Sequence, residues 1–317
     1  MVEYCITGAS GYIGWKLAEY IHQYDGSAEI VAIVRNTDKA KKLLSDKTEL
    51  VCADLTDEQQ VKKINGDFDY IIHCASITKS VEMISHPVEV IRSIINATQN
   101  ILELAKRCKT KSMVFLSSME IYGDIDCTDG HRVSEQEYGN IDLLNVRSCY
   151  SLGKRMAENI CYSYYKEYGV PVKIARLAQT FGDELLPAEN RVFAQFARAV
   201  KTGTDIVLHT DGSSMGNYCG IRDAVAGIVM ILEHGKDGES YNVVNETHTM
   251  TIRQMAEFVA NEIANGKIKV AYEIPKDNEY GYAAHTGIRL SGKKLMELGW
   301  MPQESMRDMY SEIVGKL

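Results

Sequence analysis

The chain has 317 residues, of which 45% are hydrophobic and 25% charged, and its formal net charge is -8 at pH 7. This length supports one large or two modest domains with a substantial core. The acidic balance, without a sustained run of Lys and Arg, argues against nucleic acid as the main partner. No run of about 18 apolar residues indicates a membrane span, so no membrane partner is predicted.

The start of the chain and its cysteines bear on the compartment. A strand-like segment begins at Val2, which leaves no room for a signal peptide. The eight cysteines form no CxxC pair, and several lie within apolar strand or helix patterns. Such thiols favour a reducing compartment over a disulfide framework or a zinc site. We therefore expect a cytoplasmic protein with buried thiols and no bound metal.

The first predicted strand, residues 2–7, runs into a glycine-rich turn that opens a helical pattern. Glycines between a strand and a helix allow a tight turn, close approach of backbone N–H groups to a pyrophosphate, and close packing of the helix on the strand. The spacing here is GxxGxxG. It predicts a dinucleotide site whose cofactor-binding residues are Gly8, Ser10, Gly11, Tyr12, Ile13 and Gly14.

The second predicted strand, residues 29–34, ends at Arg35. An acidic residue at this position would bond the adenosine ribose 2′-hydroxyl, whereas an Arg suits a 2′-phosphate. Lys39, Lys41 and Lys42 add positive charge nearby. The pattern favours NADP over NAD by a small margin, and the alternative is an Arg that points into solvent.

The third and fourth predicted strands, residues 50–55 and 70–75, end in residues suited to a cofactor. An Asp after the third strand is placed to meet an adenine amine, and small residues after the fourth leave room for a ribose. We interpret His73 as a packed residue at a strand end. The predicted contacts are Asp54, Leu55, Cys74, Ala75 and Ser76 for the cofactor and Thr78 for a substrate.

The fifth predicted strand, residues 111–116, follows a long amphipathic helix at 87–106 and delivers Ser118 at its carboxyl end, where open parallel sheets bind their ligands. A further helix begins near Tyr150. Because four residues make about one turn, the Tyr150 phenol and the Lys154 ammonium project from one face. A nearby cation favours the phenolate, so the pair predicts a proton acceptor for a bound hydroxyl.

Alternating strands and helices continue to a strand at 172–177 and predict an α/β fold with a doubly wound parallel sheet. We assign residues 1–180 to this Rossmann-type domain, with 216–247 packing back onto it. Residues 181–215 and 248–317 form a smaller C-terminal α/β substrate lobe. The elements expected beyond residue 180 are helices at 192–201, 222–232 and 251–263, the last capped by Thr251, and strands at 205–209 and 240–244. A substrate would bind in the cleft between the lobes.

With these elements placed, the chain resembles an extended short-chain dehydrogenase/reductase of the NAD-dependent epimerase/dehydratase family. The resemblance rests on the glycine turn, Asp54-Leu55, His73-Cys74-Ala75, Asn96, Ser117 to Gly123, Tyr150-xxx-Lys154 and the closing Leu298 to Pro302. It implies that Tyr150 is the base and that Lys154 lowers its pKa and holds the nicotinamide ribose. It also implies that Ser118 bonds the reacting oxygen and that Asn96 supports the proton path from the helix beneath.

Most members of this family oxidise the C4 hydroxyl of a nucleoside diphosphate sugar, then epimerise, eliminate water, decarboxylate or release the ketone. The 4,6-dehydratases carry Asp-Glu after the catalytic hydroxyl residue, whereas this chain carries Met119-Glu120, which disfavours dehydration. UDP-glucuronate decarboxylases are the nearest look-alikes, since their Tyr-x-x-Gly-Lys segment is also preceded by an Arg and a Cys. The resemblance therefore implies C4 oxidation followed by epimerisation or decarboxylation, assisted by Glu120. The alternative for Glu120 is a solvated carboxylate.

Two positions depart from the family pattern. Gln179 stands where an Asn usually touches the substrate phosphates, and Gly216 stands where an Arg usually grips the diphosphate. The predicted substrate-binding residues are Thr78, Ser118, Gln179, Arg191 and Arg222, the last two as replacements for the missing Arg. Arg35 and Gly216 also suit an NADP-dependent carbonyl reductase similar to dihydroflavonol reductases. A non-catalytic dinucleotide sensor is a further alternative, against which the intact Ser118, Tyr150 and Lys154 argue.

Two helices carry more apolar residues than one sheet-facing stripe requires. The residues concerned are Ile91, Ile94 and Ile95 on the helix at 87–106 and Ile160, Tyr164 and Tyr165 on the helix at 155–168. In similar family members these helices pair in a four-helix contact between subunits, so we expect a homodimer.

Overall fold

A computed structural model of the chain describes residues 2–186, 189–275 and 286–317. The strands are β1 Glu3–Thr7, β2 Glu29–Val34, β3 Thr48–Cys52, β4 Tyr70–His73, β5 Ser112–Ser118, β6 Val172–Leu177, β7 Gln179–Phe181, β8 Ile206–Leu208, β9 Met215–Gly216, β10 Tyr218–Gly220, β11 Ser240–Val243, β12 Met250–Thr251 and β13 Val270–Tyr272. The parts of the predicted lobe at residues 187–188 and 276–285 lie outside the described residues.

The α-helices are α1 Tyr12–Tyr24, α2 Thr37–Lys41, α3 Glu58–Lys62, α4 Ser80–Ser85, α5 Pro87–Cys108, α6 Ser148–Tyr168, α7 Val192–Thr202, α8 Ile221–His234, α9 Ile252–Phe258, α10 Lys293–Met296 and α11 Met306–Lys316. Short 3-10 helices lie at Met119–Tyr122 and Glu246–His248, and α9 continues into a π-helical segment, Val259–Ile263. None of the described helices is long and apolar enough to cross a membrane.

The central sheet has seven parallel strands in the order β11-β6-β5-β4-β1-β2-β3. The strand order reverses between β1 and β4, which confirms the predicted doubly wound sheet. In such sheets ligands bind outside the carboxyl ends of the strands at this reversal. The carboxyl ends of β1, β4 and β5 therefore define where the functional site must lie.

Both faces of this sheet are covered, which is why its inner strands read as continuous apolar runs. One face packs against α1 and α8, and the other against α3, α5 and α6. Helices α5 and α6 approach closely at Gly153, where a Cβ atom would lie 3.1 Å from Ile94 Cδ1. Ile94 is thus a core residue at 1% exposure and cannot belong to the surface patch predicted for subunit pairing.

The C-terminal lobe has an apolar core of its own, built from β7, β8, α7, α9 and α11. Phe181 and Phe193 stack at its centre with ring centroids 4.4 Å apart. Thr251 caps α9 as predicted, since its side chain accepts from Gln254 N while the Gln254 side chain accepts from Thr251 N. Strand β11 and helix α8, by contrast, belong to the central sheet and its covering layer.

The third strand ends earlier than predicted, at Cys52 rather than residue 55. The Asp54 carboxylate accepts from the backbone N–H and hydroxyl of Thr56 at 2.9 and 2.8 Å, and this local turn competes with continued pairing. All eight cysteines are free thiols, and Cys5, Cys127, Cys149, Cys161 and Cys219 are buried. This agrees with the predicted buried thiols.

Candidate active site

The glycine turn between β1 and α1 is packed so tightly that side chains would not fit. Gly8 has a φ of +67°, and a Cβ there would lie 2.8 Å from Ala75 Cα. A Cβ on Gly14 would lie 2.6 Å from the carbonyl oxygen of Gly8. Among the described residues no side chain caps the N-terminus of α1. The turn thus presents uncapped backbone N–H groups around Gly11, Tyr12 and Ile13, as a pyrophosphate requires.

The end of β4 lies directly against the end of β1. His73 is buried between two threonines, with Thr7 Oγ1 2.7 Å from its Nδ1 and Thr98 Oγ1 3.3 Å from its Nε2. Burial lowers the pKa of His73 to about 3, so the ring is neutral. Thr7 Oγ1 also accepts from Ala75 N at 3.2 Å. His73 is therefore a packed strand-end residue, as we interpreted it, and its role is to hold the Cys74–Ser76 segment in place.

Two hydroxyls at this edge are buried without partners. Ser76 Oγ, after β4, and Ser117 Oγ, in β5, make no hydrogen bond with any described residue. Buried hydroxyls are usually satisfied, and strands β4 and β5 are neighbours in the sheet. Together with the glycine turn, these groups fit a cofactor ribose or nicotinamide that would supply the missing partners.

Arg35 lies exposed after β2, and its guanidinium has no hydrogen bond or ion pair with any described residue. Lys39, Lys41 and Lys42 are exposed as well. Asp54 is half-buried in the turn after β3, with one carboxylate oxygen engaged by Thr56. Leu55 is buried. These residues flank the side of the site where an adenosine would be expected, and the NADP preference stays a prediction.

Ser118 lies at the end of β5, and its hydroxyl can accept one hydrogen bond while it donates another. Its Oγ accepts from Glu120 N at 3.2 Å, where it caps the 3-10 helix Met119–Tyr122. The hydroxyl proton is therefore free to be donated. Its interaction with the Tyr150 phenol acts to lower the pKa of that phenol, as donation to the phenol oxygen would. Ser118 and Tyr150 thus lie close enough to interact, and their catalytic roles stay predictions.

Lys154 is buried one turn beyond Tyr150 on α6. Its Nζ donates to the Leu116 carbonyl oxygen at 2.7 Å and lies 4.6 Å from the Phe115 ring centroid and 5.9 Å from the Tyr150 ring centroid. Burial lowers the pKa of Lys154 to about 8, and the charge of Glu158 opposes this shift. The ammonium is thus fixed beneath the sheet edge, on the same helix face as the phenol.

One electrostatic expectation is corrected. We expected Lys154 to lower the pKa of Tyr150, but in this structure the pKa of the phenol is raised. Burial is the main cause, followed by the negative charge of Glu120, while Ser118, Arg191 and Arg147 act in the opposite direction. Desolvation outweighs nearby cations here, so Tyr150 is protonated in the absence of ligands.

The predicted role of Asn96 is also corrected. Asn96 lies on the exposed face of α5, two positions away from both Ile94 and Thr98, which are buried. Each residue advances a helix by about 100°, so a shift of two positions turns a side chain away from the sheet. Asn96 therefore cannot support a proton path beneath Lys154.

Arg147, which was not among the predicted site residues, binds Glu120. Its Nη1 and Nη2 donate to Glu120 Oε2 and Oε1 at 2.9 and 3.3 Å. The two side chains are 27% and 33% exposed, so the pair lies at the mouth of the site. Arg147 is the residue before α6 and lies about one turn before Tyr150; it is the Arg noted above in the resemblance of this segment to UDP-glucuronate decarboxylases.

A buried ion pair ties the two catalytic elements together. Arg176 donates to both Glu158 oxygens, with the shortest distance at 2.7 Å, and it also donates to Tyr122 Oη at 3.0 Å. Glu158 lies on α6, one turn after Lys154, and Tyr122 lies just beyond Ser118. One guanidinium thus fixes α6 relative to the end of β5.

The predicted substrate-binding residues fall in different places. Arg191, just before α7, pairs with Glu189. Its positive charge acts to lower the pKa of both Tyr150 and Tyr12. Thr78 is exposed after β4, and Gln179 is half-buried at the start of β7. Arg222 pairs with Glu312 at 2.6 Å and with Glu304 at 3.5 Å. Arg222 is therefore committed to the contact between α8 and α11.

Gly216 cannot be restored to an Arg without rearrangement. A Cβ on this residue would lie 2.3 Å from Tyr218 Oη, which is buried and has no partner among the described residues. The Tyr218 ring fills the space that a longer side chain would need. Of the two arginines predicted to replace the missing Arg, Arg222 is paired with Glu312, whereas the charge of Arg191 acts on the Tyr150 phenol.

The fold and these residues define an extended short-chain dehydrogenase/reductase, with a glycine turn at a sheet reversal and a Ser-Tyr-Lys set beside it. The family model for the NAD dependent epimerase/dehydratase family matches residues 4–245, which is most of the chain. The chain belongs to this family of enzymes.

Comparison with individual proteins supports the assignment. The chain is 28% identical over 308 residues to UDP-glucuronic acid decarboxylase 6 of Arabidopsis thaliana. The aligned region covers 96% of this chain and 85% of that protein. The structure is similar to that of UDP-glucose 4-epimerase from Thermotoga maritima with UDP-glucose, with a TM-score of 0.85, 20% identity and coverage of 99% and 98% of the two chains. It is also similar to UDP-glucuronic acid 4-epimerase from Bacillus cereus in complex with UDP-glucuronic acid and NAD, with a TM-score of 0.80, 19% identity and the same coverage.

Proposed function

We propose that this enzyme oxidises the C4 hydroxyl of a nucleoside diphosphate sugar with a nicotinamide dinucleotide and returns the hydride after the ketone has reacted. The observation that carries the proposal is the set of Ser118, Tyr150 and Lys154, placed where β5 and α6 meet beside the uncapped glycine turn. A buried phenol with a hydroxyl donor and an ammonium close by is suited to exchange a proton with a bound hydroxyl.

The side chains divide the work of the first step. Tyr150 takes the proton of the C4 hydroxyl, and Ser118 donates its free proton to the same oxygen. Lys154 holds a positive charge beneath them and is placed to bond a cofactor ribose. A bound oxidised nicotinamide would supply a hydride acceptor and a positive charge. Because burial raises the pKa of Tyr150, a positive charge near the phenol would favour the phenolate.

Decarboxylation of a UDP-hexuronate is the overall reaction that we propose. A C4 ketone lets the C5–C6 bond break, so that carbon dioxide leaves and the electron pair passes into a C4–C5 enolate. Proton delivery to C5, hydride return to C4 and return of the proton from Tyr150 to the C4 oxygen complete the reaction. Three observations support this choice. Met119 stands where a dehydratase would have its acid, and Glu120 lies close enough to Tyr150 for its charge to act on the phenol. The Arabidopsis relative is named a UDP-glucuronic acid decarboxylase.

NADP use and self-association are further parts of the proposal. Arg35 lies where it would contact a 2′-phosphate. No described residue binds its guanidinium, so a phosphate would not have to displace one. For the homodimer, the predicted patch without Ile94 keeps solvent-accessible apolar side chains on α5 and α6, namely Ile91, Ile95, Ile160, Tyr164 and Tyr165. Accessible apolar side chains on two packed helices support a contact between subunits.

Two measurements on the purified protein test the proposal. Mass spectrometry identifies any dinucleotide that stays bound, and incubation with UDP-glucuronate followed by mass analysis identifies the product. We expect a retained cofactor and a UDP-pentose. A UDP-hexuronate inverted at C4 would replace decarboxylation by 4-epimerisation. An empty site that consumes added NADPH with simple ketones would support a carbonyl reductase, and dinucleotide binding without any turnover would support a sensor.

A further inference from the structure

The ion pair between Arg147 and Glu120 occupies the carboxylate that is predicted to assist the second stage of the reaction. Both Glu120 oxygens accept hydrogen bonds from the guanidinium, at 2.9 and 3.3 Å. A carboxylate held by two parallel donors is in a strong, geometrically defined contact. Glu120 therefore cannot approach C5 of the sugar or pass a proton to it until this contact opens.

Arg147 differs in this respect from Lys154 and Arg155. Lys154 donates to the Leu116 carbonyl, and Arg155 donates to the carbonyls of Ile121 and Gly139 at 2.6 and 2.7 Å. These backbone partners cannot leave. The described partner of the Arg147 guanidinium is a side chain, and that side chain is one-third exposed.

The location of the pair matches the part of a hexuronate that carries charge. Glu120 follows Ser118 by two residues, and Arg147 precedes Tyr150 by three. The charges of both residues act on the Tyr150 phenol, which marks the position of the C4 oxygen. The carboxylate of a hexuronate is attached to C5, the carbon next to C4. A guanidinium beside Tyr150 is therefore well placed to receive it.

We propose that Arg147 exchanges carboxylates: it binds Glu120 in the empty site and the sugar carboxylate of a nucleoside diphosphate hexuronate in the loaded site. The exchange conserves the number of charge-assisted hydrogen bonds on the guanidinium. It also releases Glu120 towards C5 only when a substrate with a carboxylate is present. Arg147 is thus the residue that selects a hexuronate over a neutral hexose, and this inference rests on the proposed function.

The exchange makes opposite predictions for the two partners. Arg147→Gln removes the receptor, so UDP-glucuronate should bind about 10- to 100-fold more weakly, the range expected for lost charge-assisted hydrogen bonds. Glu120→Gln removes the competitor, so UDP-glucuronate should bind about 3- to 10-fold more tightly. Arg147→Lys keeps the charge without the paired donors and should fall between wild type and Arg147→Gln.

The experiment is calorimetric titration of the full-length protein with UDP-glucuronate and, separately, with UDP-glucose. UDP-glucose lacks the carboxylate, so its affinity should stay within about twofold of wild type in all three variants, which also shows that they are folded. Arg307→Gln and Glu262→Gln remove an exposed Arg–Glu pair on the C-terminal lobe and serve as matched controls. Neither should change the affinity for either ligand.

Three results would overturn the exchange. Equal loss of both ligands in Arg147→Gln would make Arg147 structural, and unchanged or weaker UDP-glucuronate binding in Glu120→Gln would remove the competition. Equal affinity of wild type for both ligands would remove the selectivity. If wild type binds neither UDP-sugar, the proposed function fails and the exchange fails with it. If wild type binds UDP-glucose and one of the first three results is found, the exchange is overturned but the proposed function is not.

Discussion

The Lys154 ammonium donates to the main-chain carbonyl oxygen of Leu116 at 2.7 Å, which ties α6 to the carboxyl end of β5. The contact fixes the lysine beneath the site, where it is almost fully removed from water. Burial lowers its pKa to about 8. Burying this cation therefore lowers the stability of the folded protein. The cation lies where it could interact with a nicotinamide ribose and with the Tyr150 phenol.

This loss of stability predicts a pH-dependent effect of Lys154→Met on unfolding. The pKa of lysine is above 10 in an unfolded chain and about 8 here. Below pH 8 both states are protonated and the folded state carries the full penalty. Between pH 8 and 10 the unfolded state binds more protons, so the stability of wild type rises with pH. We expect the variant to be more stable than wild type at pH 7 by about 1–3 kcal/mol, with the advantage shrinking towards pH 10. Urea denaturation across this range measures it, and a difference that does not change with pH would contradict the assignment.

Arg176→Met should strongly destabilise the fold. It leaves the Glu158 carboxylate buried without its guanidinium, and breaking a buried pair from one side typically costs about 3–5 kcal/mol. The double variant Arg176→Met/Glu158→Met removes both charges and should recover much of this loss. Chemical denaturation of the two variants and of Glu158→Met completes a double-mutant cycle. Additive effects would show that the two residues do not depend on each other.

Gly14→Ala should damage the cofactor site. The added Cβ would lie 2.6 Å from the Gly8 carbonyl oxygen, so the turn that faces the pyrophosphate must shift. We expect dinucleotide affinity, measured by calorimetry, to fall at least about tenfold, because backbone N–H groups at a helix N-terminus bind only when aligned. Gly26→Ala, after the same helix, adds a Cβ with nothing within 4 Å and should leave the affinity unchanged. Equal behaviour of the two variants would place the cofactor elsewhere.

Arg35→Asp should reverse the cofactor preference. The exposed guanidinium would lose a 2′-phosphate partner, while the new carboxylate could accept from a ribose 2′-hydroxyl. We expect weaker NADP binding and equal or tighter NAD binding. Lys41→Asp makes the same charge change nearby and controls for general electrostatics. Wild type that binds NAD and NADP equally would show that Arg35 points into solvent.

The sequence predicts local features of this site well because local rules decide them. Gly8, Gly11 and Gly14 lie between a strand and a helix, and a four-residue spacing puts Tyr150 and Lys154 on one face. Asn96 shows the limit of such reasoning. The helix was predicted correctly, but an error of two positions in the helical phase separates a buried side chain from an exposed one.

Contacts across the chain could not be predicted in this way. Arg147 and Glu120 are joined through an irregular segment of 27 positions, and no periodicity fixes the distance between its ends. The raised pKa of Tyr150 has the same origin, because burial depends on everything that packs around the phenol. The commitment of Arg222 to Glu312 likewise depends on how α8 meets α11, 90 positions apart.

The most direct test of C4 oxidation is a single-turnover absorbance measurement on Glu120→Gln with UDP-glucuronate. The first hydride transfer needs only Ser118, Tyr150 and Lys154, so reduced nicotinamide should appear, and it should persist because the enolate left by decarboxylation has no Glu120 carboxylate to pass a proton to C5. Deuterium at C4 of the sugar should slow this rise severalfold, and Tyr150→Phe should reduce its rate about 10²- to 10⁴-fold, whereas Tyr162→Phe, an exposed tyrosine on the same helix, should leave it unchanged. Formation of product with no reduced nicotinamide and no deuterium effect would contradict the account.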